Sequence, residues 1–318
     1  MPTIDLPLSE LKVYKGTNPK PVDFDDYWDR GLSEMRAVDP LVHFKKSDFQ
    51  VPFATCYDMY FTGVKGARIH VKYVKPMSVS DPVPAVLMFH GYSMNAGDWS
   101  SKLAYAALGH AVFAMDVRGQ GGESVDVGGV KGNTLKGHII RGLDDDKDNL
   151  FFRDVYLDCA QLAQIVIGMD EIDGANVSAT GWSQGGALTL VCASLEPRIK
   201  KAAAVYPFLS DFKRVWELDL AIDAYEDIKH YFRRFDPQHK RVEEVFTTLG
   251  YIDIQHLAGR IQAKTLMATG LMDAICPPST QFAAFNRIKS EKQLEIYPDF
   301  SHENLPGLHD IIMQYLRP

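Results

Sequence analysis

The sequence predicts a doubly wound α/β fold built on a mostly parallel sheet, and two observations carry that prediction. Short apolar runs at 85–89, 111–117, 177–181, 202–206, 265–269 and 294–297 have strand length, and several are nearly unbroken, as strands buried on both faces require. Between them lie stretches of helical character at 104–108, 154–167 and 186–195. Such alternation joins parallel strands through right-handed crossovers.

The elements follow in order. Residues 1–50 mix prolines, charges and aromatics, and Asp23 or Asp25 can cap a helix with Tyr27, Trp28 and Leu32 on one face. This N-terminal arm is expected to pack on the main body, not to fold alone. Runs at 56–62 and 67–74, separated by Gly63 and Gly66, read as a half-buried antiparallel pair because Ile69, Val71 and Tyr73 alternate. Two stretches break the rhythm. Residues 121–149 are long, glycine-rich and polar, and read as a loop excursion. Residues 210–260 lie between two predicted strands and look helical at 214–225 and 242–249. An insertion there forms a cap over the carboxyl edge of the sheet, where open α/β folds bind ligands. The expectation is one domain over 1–318, with 1–50 as arm and 210–260 as cap.

Composition narrows the partners. With 46% hydrophobic and 24% charged residues the chain can bury a substantial core. A formal net charge of −7 with no concentrated basic surface argues against a nucleic-acid partner. No apolar window approaches bilayer length, so no membrane partner is expected. Residues 1–20 lack a basic segment followed by an apolar run. Cys56, Cys159, Cys192 and Cys276 are scattered without metal-type pairing. Reduced, buried thiols in a cytoplasmic protein are therefore expected.

Gly181-Trp-Ser-Gln-Gly185 matches G-x-S-x-G between an apolar run and the helix-like stretch that starts at Gly186. A serine on such a sharp strand-to-helix turn is held in a strained conformation that lifts its oxygen above the sheet. The flanking glycines are needed because a Cβ there would collide with the neighbouring strand and helix. A hydroxyl near neutral pH is a poor nucleophile and needs an adjacent base. Of ten histidines, His302 lies just after the last predicted strand, in Asp299-Phe-Ser-His-Glu303, where the chain order Ser…Asp…His puts the base. His309 is the rival, inside a terminal helix; structural or surface roles suit His43, His70, His110, His230 and His239. The orienting acid should follow the strand at 265–269, which selects Asp273 in Gly270-Leu-Met-Asp273. Asp299, three residues before the base, is badly placed to reach its far nitrogen. Two oxyanion donors are expected: the backbone N–H of Gln184, after the nucleophile, and that of Tyr92, in the turn Phe89-His-Gly-Tyr92.

Arg118-Gly-Gln120, Gly181-Trp-Ser-Gln-Gly185 and His302-Glu303 together resemble the signature of the family-seven carbohydrate esterases, the acetyl xylan esterases and cephalosporin C deacetylases of the α/β-hydrolase fold. Similarity extends along most of the chain, through Asp23-Phe-Asp-Asp-Tyr-Trp28, His90-Gly-Tyr92, Arg153-Asp-Val-Tyr-Leu-Asp158, Tyr206-Pro-Phe-Leu-Ser210 and Pro277-Pro-Ser-Thr280. The resemblance implies removal of acetyl groups from small acetylated substrates, including xylo-oligosaccharides and cephalosporin C, with no cofactor and no metal. It also implies a homohexamer, a trimer of dimers. Ser183, Asp273 and His302 fall on the family's triad, Tyr92 and Gln184 on its oxyanion amides, and Arg118 and Gln120 on a signature with a structural role, Arg118 bracing the loop beside the site. Trp182 departs from the small residue common before the nucleophile.

Other features have plainer readings. Asp144-Asp-Asp-Lys-Asp148 lacks the glycine and terminal glutamate of a calcium loop and reads as a solvated acidic loop. Gly119-Gln-Gly-Gly122 has neither the spacing nor the lysine of a phosphate loop. The aromatic run 225–235 reads as cap packing. The residues predict acyl transfer through a covalent acetyl-enzyme, with activity rising with pH as the imidazole base loses its proton. A peptidase or amidase could use the same triad, and a non-catalytic binding protein could use the same fold.

Overall fold

A computed structural model describes residues 4–77, 82–127, 134–219 and 222–318. Nine strands follow one another along the chain: β1 (His43–Lys46), β2 (Ala54–Thr62), β3 (Arg68–Pro76), β4 (Val83–Phe89), β5 (Ala111–Met115), β6 (Ile172–Trp182), β7 (Lys201–Val205), β8 (Lys264–Gly270) and β9 (Lys292–Tyr297). They form one sheet in the order β1-β2-β3-β5-β4-β6-β7-β8-β9. The pairs from β1 to β5 across β2 and β3 are antiparallel. Every pair from β5 through β4 to β9 is parallel.

The helices are α1 (Leu8–Leu11), α2 (Phe24–Ala37), α3 (Leu103–Ala107), α4 (Phe151–Ile167), α5 (Gln184–Leu195), α6 (Phe212–Glu217), α7 (Glu226–Phe235), α8 (Val242–Gly250), α9 (Ile254–Leu257), α10 (Pro278–Arg287) and α11 (Leu308–Tyr315). They cover both faces of the sheet, which explains the unbroken apolar strands. In β4, Ala85, Leu87 and Phe89 join the cluster that holds α2, α4 and α5, while Val86 joins the cluster that holds α3 and α11. Successive side chains on a strand alternate faces, so both sets must be apolar. Every residue of α5 is buried, in keeping with a helix that is apolar all round.

The arm contributes more than a helix. Its Trp28 donates from Nε1 to the Tyr251 carbonyl at 3.0 Å and Tyr27 packs on Tyr251. Residues 43–46 also add β1 as the sheet's edge, a strand whose four side chains are all exposed and so left no alternation in the sequence. Asp23 precedes α2 without a side-chain capping bond, because its carboxylate is taken by Lys147 and the Tyr251 hydroxyl. In the cap, the first predicted helix stops at Glu217. Asp219, at φ 54°, takes a left-handed conformation that no right-handed helix can continue. Residues 220–221 of the predicted 214–225 helix lie outside the described residues, as do 128–133 of the 121–149 excursion. The aromatic run 225–235 is itself helical: Tyr225, Ile228, Tyr231 and Phe232 are buried at helical spacing along the turn into α7 and α7 itself. Among the described residues no helix is long and apolar enough to cross a membrane.

A buried carboxylate pair ties arm to cap. Asp211 accepts from Tyr14 Oη at 2.8 Å, from the Thr17 amide at 3.0 Å and from the Asn18 amide at 2.8 Å. Its own N–H donates to Asp253, whose carboxylate also accepts from the Gln255 amide and side chain. Asp253 is fully buried, and burial, with Asp211 beside it, pushes its pKa up to about 7 against those donors. The folded chain therefore keeps a proton that the unfolded chain releases near the ordinary carboxylate range of about 4. Stability from this group is full below that range and is lost as pH climbs toward 7. Asp253→Asn should then lose less melting temperature than the native protein between pH 5 and pH 8. Parallel pH dependences in a thermal melt would contradict this.

Candidate active site

Ser183 joins β6 to α5 at φ 58°, ψ −118°, a conformation costing on the order of 1–3 kcal/mol. The surroundings hold it there. Its N–H donates to the Val205 carbonyl at 3.0 Å, and its carbonyl accepts from Ala187 and Phe208 amides. A Cβ on Gly181 would stand 2.4 Å from the Gly185 oxygen, and one on Gly185 would stand 2.0 Å from the Phe89 oxygen. One on Gly186 would stand 2.5 Å from the Val205 oxygen. These glycines are therefore steric requirements of the turn.

His302 lies in the loop after β9, and its Nδ1 is 2.8 Å from Asp273 Oδ2. Asp273 follows β8 and is fully buried; its Oδ1 accepts from the Ile275 and Cys276 amides at 2.9 and 2.8 Å. With the carboxylate accepting, the ring proton sits on Nδ1 and the Nε2 lone pair is left to take a proton. The Tyr206 ring packs on the imidazole at 4.3 Å between centroids. Ser183 and His302 line one cavity of about 420 Å³, with Phe89, Trp182 and Phe208 among its walls. The competing groups lie elsewhere: Asp299 is exposed, and His309 on α11 stacks against Trp182.

Two peptide groups lie at this end of the sheet, that of Tyr92 on the cavity wall and that of Gln184 at the start of α5. Gln184 opens α5, so its N–H has no acceptor within the helix. At the end of β4, His90 Nε2 accepts from the Val117 amide at 2.9 Å, which places the ring proton on Nδ1, 2.7 Å from the Gly91 carbonyl. Burial holds the His90 pKa down, against the pull of the Gly91 bond, and favours this neutral tautomer. In a trans peptide the carbonyl and N–H point opposite ways, so anchoring Gly91 C=O aims the Tyr92 N–H away from the imidazole. Gln120 then links the two loops: its amide exchanges hydrogen bonds with the Gln184 side chain at 2.8 and 3.0 Å and accepts from the Ser93 amide at 3.0 Å. The Tyr92 hydroxyl reaches Asp227 of α7 at 3.3 Å, which brings the cap into contact with the same turn.

Arg118, in the signature beside Gln120, is fully buried and donates through Nε and Nη2 to the two oxygens of Asp158 on α4, each at 2.7 Å. Burial would lower its pKa, but Asp158, with Asp154 and Asp126 behind it, outweighs this and raises it. It also donates to the Val64 carbonyl, so it staples β5's exit to α4 and the β2–β3 turn. A similar buried array holds the far side of the β4 turn. His70 bridges Asp116 at 2.6 Å and Asp58 at 3.0 Å, and Asp116 accepts from the Ala96 and Glu123 amides. The acidic stretch 144–148 forms surface ion pairs, Asp144 with Arg241 and Asp148 with Arg30.

Cys276 is buried with its sulfur in hydrogen-bond reach of the Ser183 hydroxyl, and burial, with Asp273 nearby, raises its pKa. Asp273, Cys276 and His302 offer donor atoms within 4.8 Å of one another, a set a metal could use. The acid and the base already bind each other, and the thiol stays protonated, so the chemistry of the set is proton transfer. The sequence marks Ser183, Asp273 and His302; the structure puts Ser183 and His302 on one cavity and buries Asp273 behind the imidazole. It does not mark Cys276, nor the orienting bonds of His90, whose partner Val117 is on a neighbouring strand end and leaves no periodic signal.

The sequence profile of the family described as Acetyl xylan esterase (AXE1) matches residues 1–318. Acetyl xylan esterase 1 from Thermoanaerobacterium sp. JW/SL YS485 is 60% identical, with TM-score 0.95 over 98% of each chain. The acetyl xylan esterase from Paenibacillus sp. R4 is 37% identical, with TM-score 0.91 over 98% of this chain and 99% of that one. The acetyl esterase Axe7A of Xylanibacter ruminicola is 30% identical over 92% of this chain, which spans 65% of that relative's length. The architecture is that of the α/β hydrolases.

His90→Ala frees the Gly91–Tyr92 peptide. If that amide stabilises the reacting oxyanion, kcat should fall by about 10²-fold, the scale of a lost oxyanion donor, with KM changed far less. Steady-state kinetics on a short acyl ester would test this; an unchanged kcat would remove His90 from any orienting role.

Proposed function

The chain belongs to the acetyl xylan esterase family, and on that footing we propose that it removes acetyl groups from small acetylated substrates, xylo-oligosaccharides and cephalosporin C among them. The observation that carries the proposal is the buried Asp273 carboxylate bonded to His302 on the cavity that Ser183 lines. Ser183 attacks the ester carbonyl while His302 Nε2 takes its proton, and the Tyr92 and Gln184 amides receive the tetrahedral oxyanion. His302 returns the proton to the leaving alcohol. It then draws a proton from water, which attacks the acetyl-serine and releases acetate.

The walls support a short acyl group. Trp182, Tyr206 and Phe208 are bulky, rigid rings in a cavity of about 420 Å³. Four free, buried cysteines support a reducing, cytoplasmic setting. We also propose assembly as a homohexamer. The exposed apolar side chains Phe44 on β1, Phe49 and Phe53 in the β1–β2 connection and Met77 after β3 support an interface on that side of the molecule.

Ser183→Ala should lose covalent labelling by a fluorophosphonate and lower kcat by about 10⁶-fold. Initial rates should fall steeply from acetyl to butyryl to octanoyl esters. A preference for the longest chain would defeat the deacetylase reading and leave the hydrolase intact, whereas cleavage of peptide amides in place of acetyl esters would favour a peptidase. Light scattering should give six times the chain mass of 35.6 kDa; a monomer would overturn the assembly.

A further inference from the structure

We propose that Asp223 selects substrates by charge at the mouth of the cavity, favouring neutral, hydroxyl-bearing acetyl esters and disfavouring anionic ones. The inference rests on the deacetylase reading and goes beyond it by naming what the substrate carries next to its acetyl group. The cap stretch around Asp223 holds four acidic residues, and the other three are engaged. Asp219 pairs with Lys229, Glu226 with Lys136, and Asp227 accepts from Tyr92 and Gly137. Asp223 alone has no side-chain hydrogen bond or ion pair among the described residues, yet it lines the cavity with Ser183 and His302. It is exposed, which puts it at the solvent side, where the part of the substrate beyond the acetyl group must lie.

Its placement is fixed by the chain. At φ 51° the backbone is left-handed, a conformation that aspartate and asparagine tolerate better than most residues. Asp223 itself opens the turn Asp223–Tyr225, anchored by the fully buried Tyr225 against Phe208. Among the described residues lining the cavity there is no lysine or arginine to balance the charge. The other walls are mainly rings and apolar side chains, so Asp223 is the one carboxylate among the described lining residues and acts from their solvent-facing rim.

A carboxylate accepts hydrogen bonds and cannot donate one while ionised. Sugar hydroxyls flanking an acetylated position satisfy it, through charge-assisted bonds stronger than neutral ones. A substrate carboxylate near the ester meets repulsion, with no cationic side chain among the described residues that line the cavity. Of the two substrate types proposed above, acetylated xylo-oligosaccharides should therefore be preferred over cephalosporin C, which carries a carboxylate beside its acetoxymethyl group.

The test compares native enzyme with Asp223→Asn, which suits the same backbone, on three esters: mono-O-acetyl xylobiose, p-nitrophenyl acetate and 4-acetoxybenzoate. In the variant, kcat/KM on 4-acetoxybenzoate should rise about tenfold, the scale of one lost like-charge contact in a partly shielded site. On acetyl xylobiose it should drop by about fivefold as one charge-assisted acceptor is lost. On p-nitrophenyl acetate, which has neither a hydroxyl nor a net charge, it should stay within about twofold, the scatter of a neutral surface change. Raising salt should narrow the native enzyme's discrimination against the anion and leave the variant's unaltered. Equal changes on all three esters, or none, would overturn the role of Asp223. Failure of the native enzyme on p-nitrophenyl acetate would instead overturn the esterase reading on which it rests.

Discussion

The carbonyl oxygens of Phe89 and Val205, at the ends of β4 and β7, stand so close to the first turn of α5 that only hydrogen atoms fit between them. Gly185 and Gly186 supply those hydrogens, and Gly181 supplies the one beneath the turn. This contact forces the residue between them to reverse the chain within a single peptide, and Ser183 takes the left-handed conformation that does so. The same contact places the first free amide of α5 beside the end of β4. Nucleophile, helix terminus and neighbouring loop are thus arranged by one steric constraint before any side chain is considered.

Side chains then fix what the backbone leaves free. A peptide at a strand end can rotate, and its amide can point to solvent. His90 removes that freedom by spanning from Val117 to the Gly91 carbonyl, and the amide of Val117 decides which ring nitrogen holds the proton. Gln120 does the same between loops, through a reciprocal amide pair that neither partner could satisfy alone. Arg118 secures the segment that carries Gln120 by a two-pronged bond to Asp158. The three residues form a chain of support from the core to the reactive cavity, Arg118 and Gln120 fully buried and His90 half-buried beside them. Such groups are costly to strand, because a buried donor without an acceptor loses its hydration for nothing.

Much of this is legible in the sequence, for identifiable reasons. The central strands are apolar on both faces, and runs such as 85–89 and 265–269 have no other explanation. The elbow is legible because its glycines are demanded by contacts of fixed geometry, and Asp273 and His302 because each follows a recognisable strand. The edge strand at 43–46 is not legible, since with all four side chains in water no alternation marks it. The helix at 226–235 is hidden by its aromatics, which suggest packing more readily than period. Asp23 shows how tertiary partners override a local preference: a sound capping residue by type, it is claimed by Lys147 and Tyr251 from far along the chain. His90 and Gln120 belong to the same class, since their roles are set by partners that no spacing rule connects.

The Asp211 carboxylate carries a consequence of its own. Its acceptor sites are filled by Tyr14, Thr17 and Asn18, so the protein's leading segment serves as the counter-surface for a charge lodged beneath the roof of the reaction chamber. Peeling away that segment, by a protease or an ill-chosen fusion joint, would leave a bare anion in a dry crevice. The roof would loosen even though every reacting group remained in the polypeptide. Integrity of residues 14–18 and order above the cavity are, in this molecule, one property.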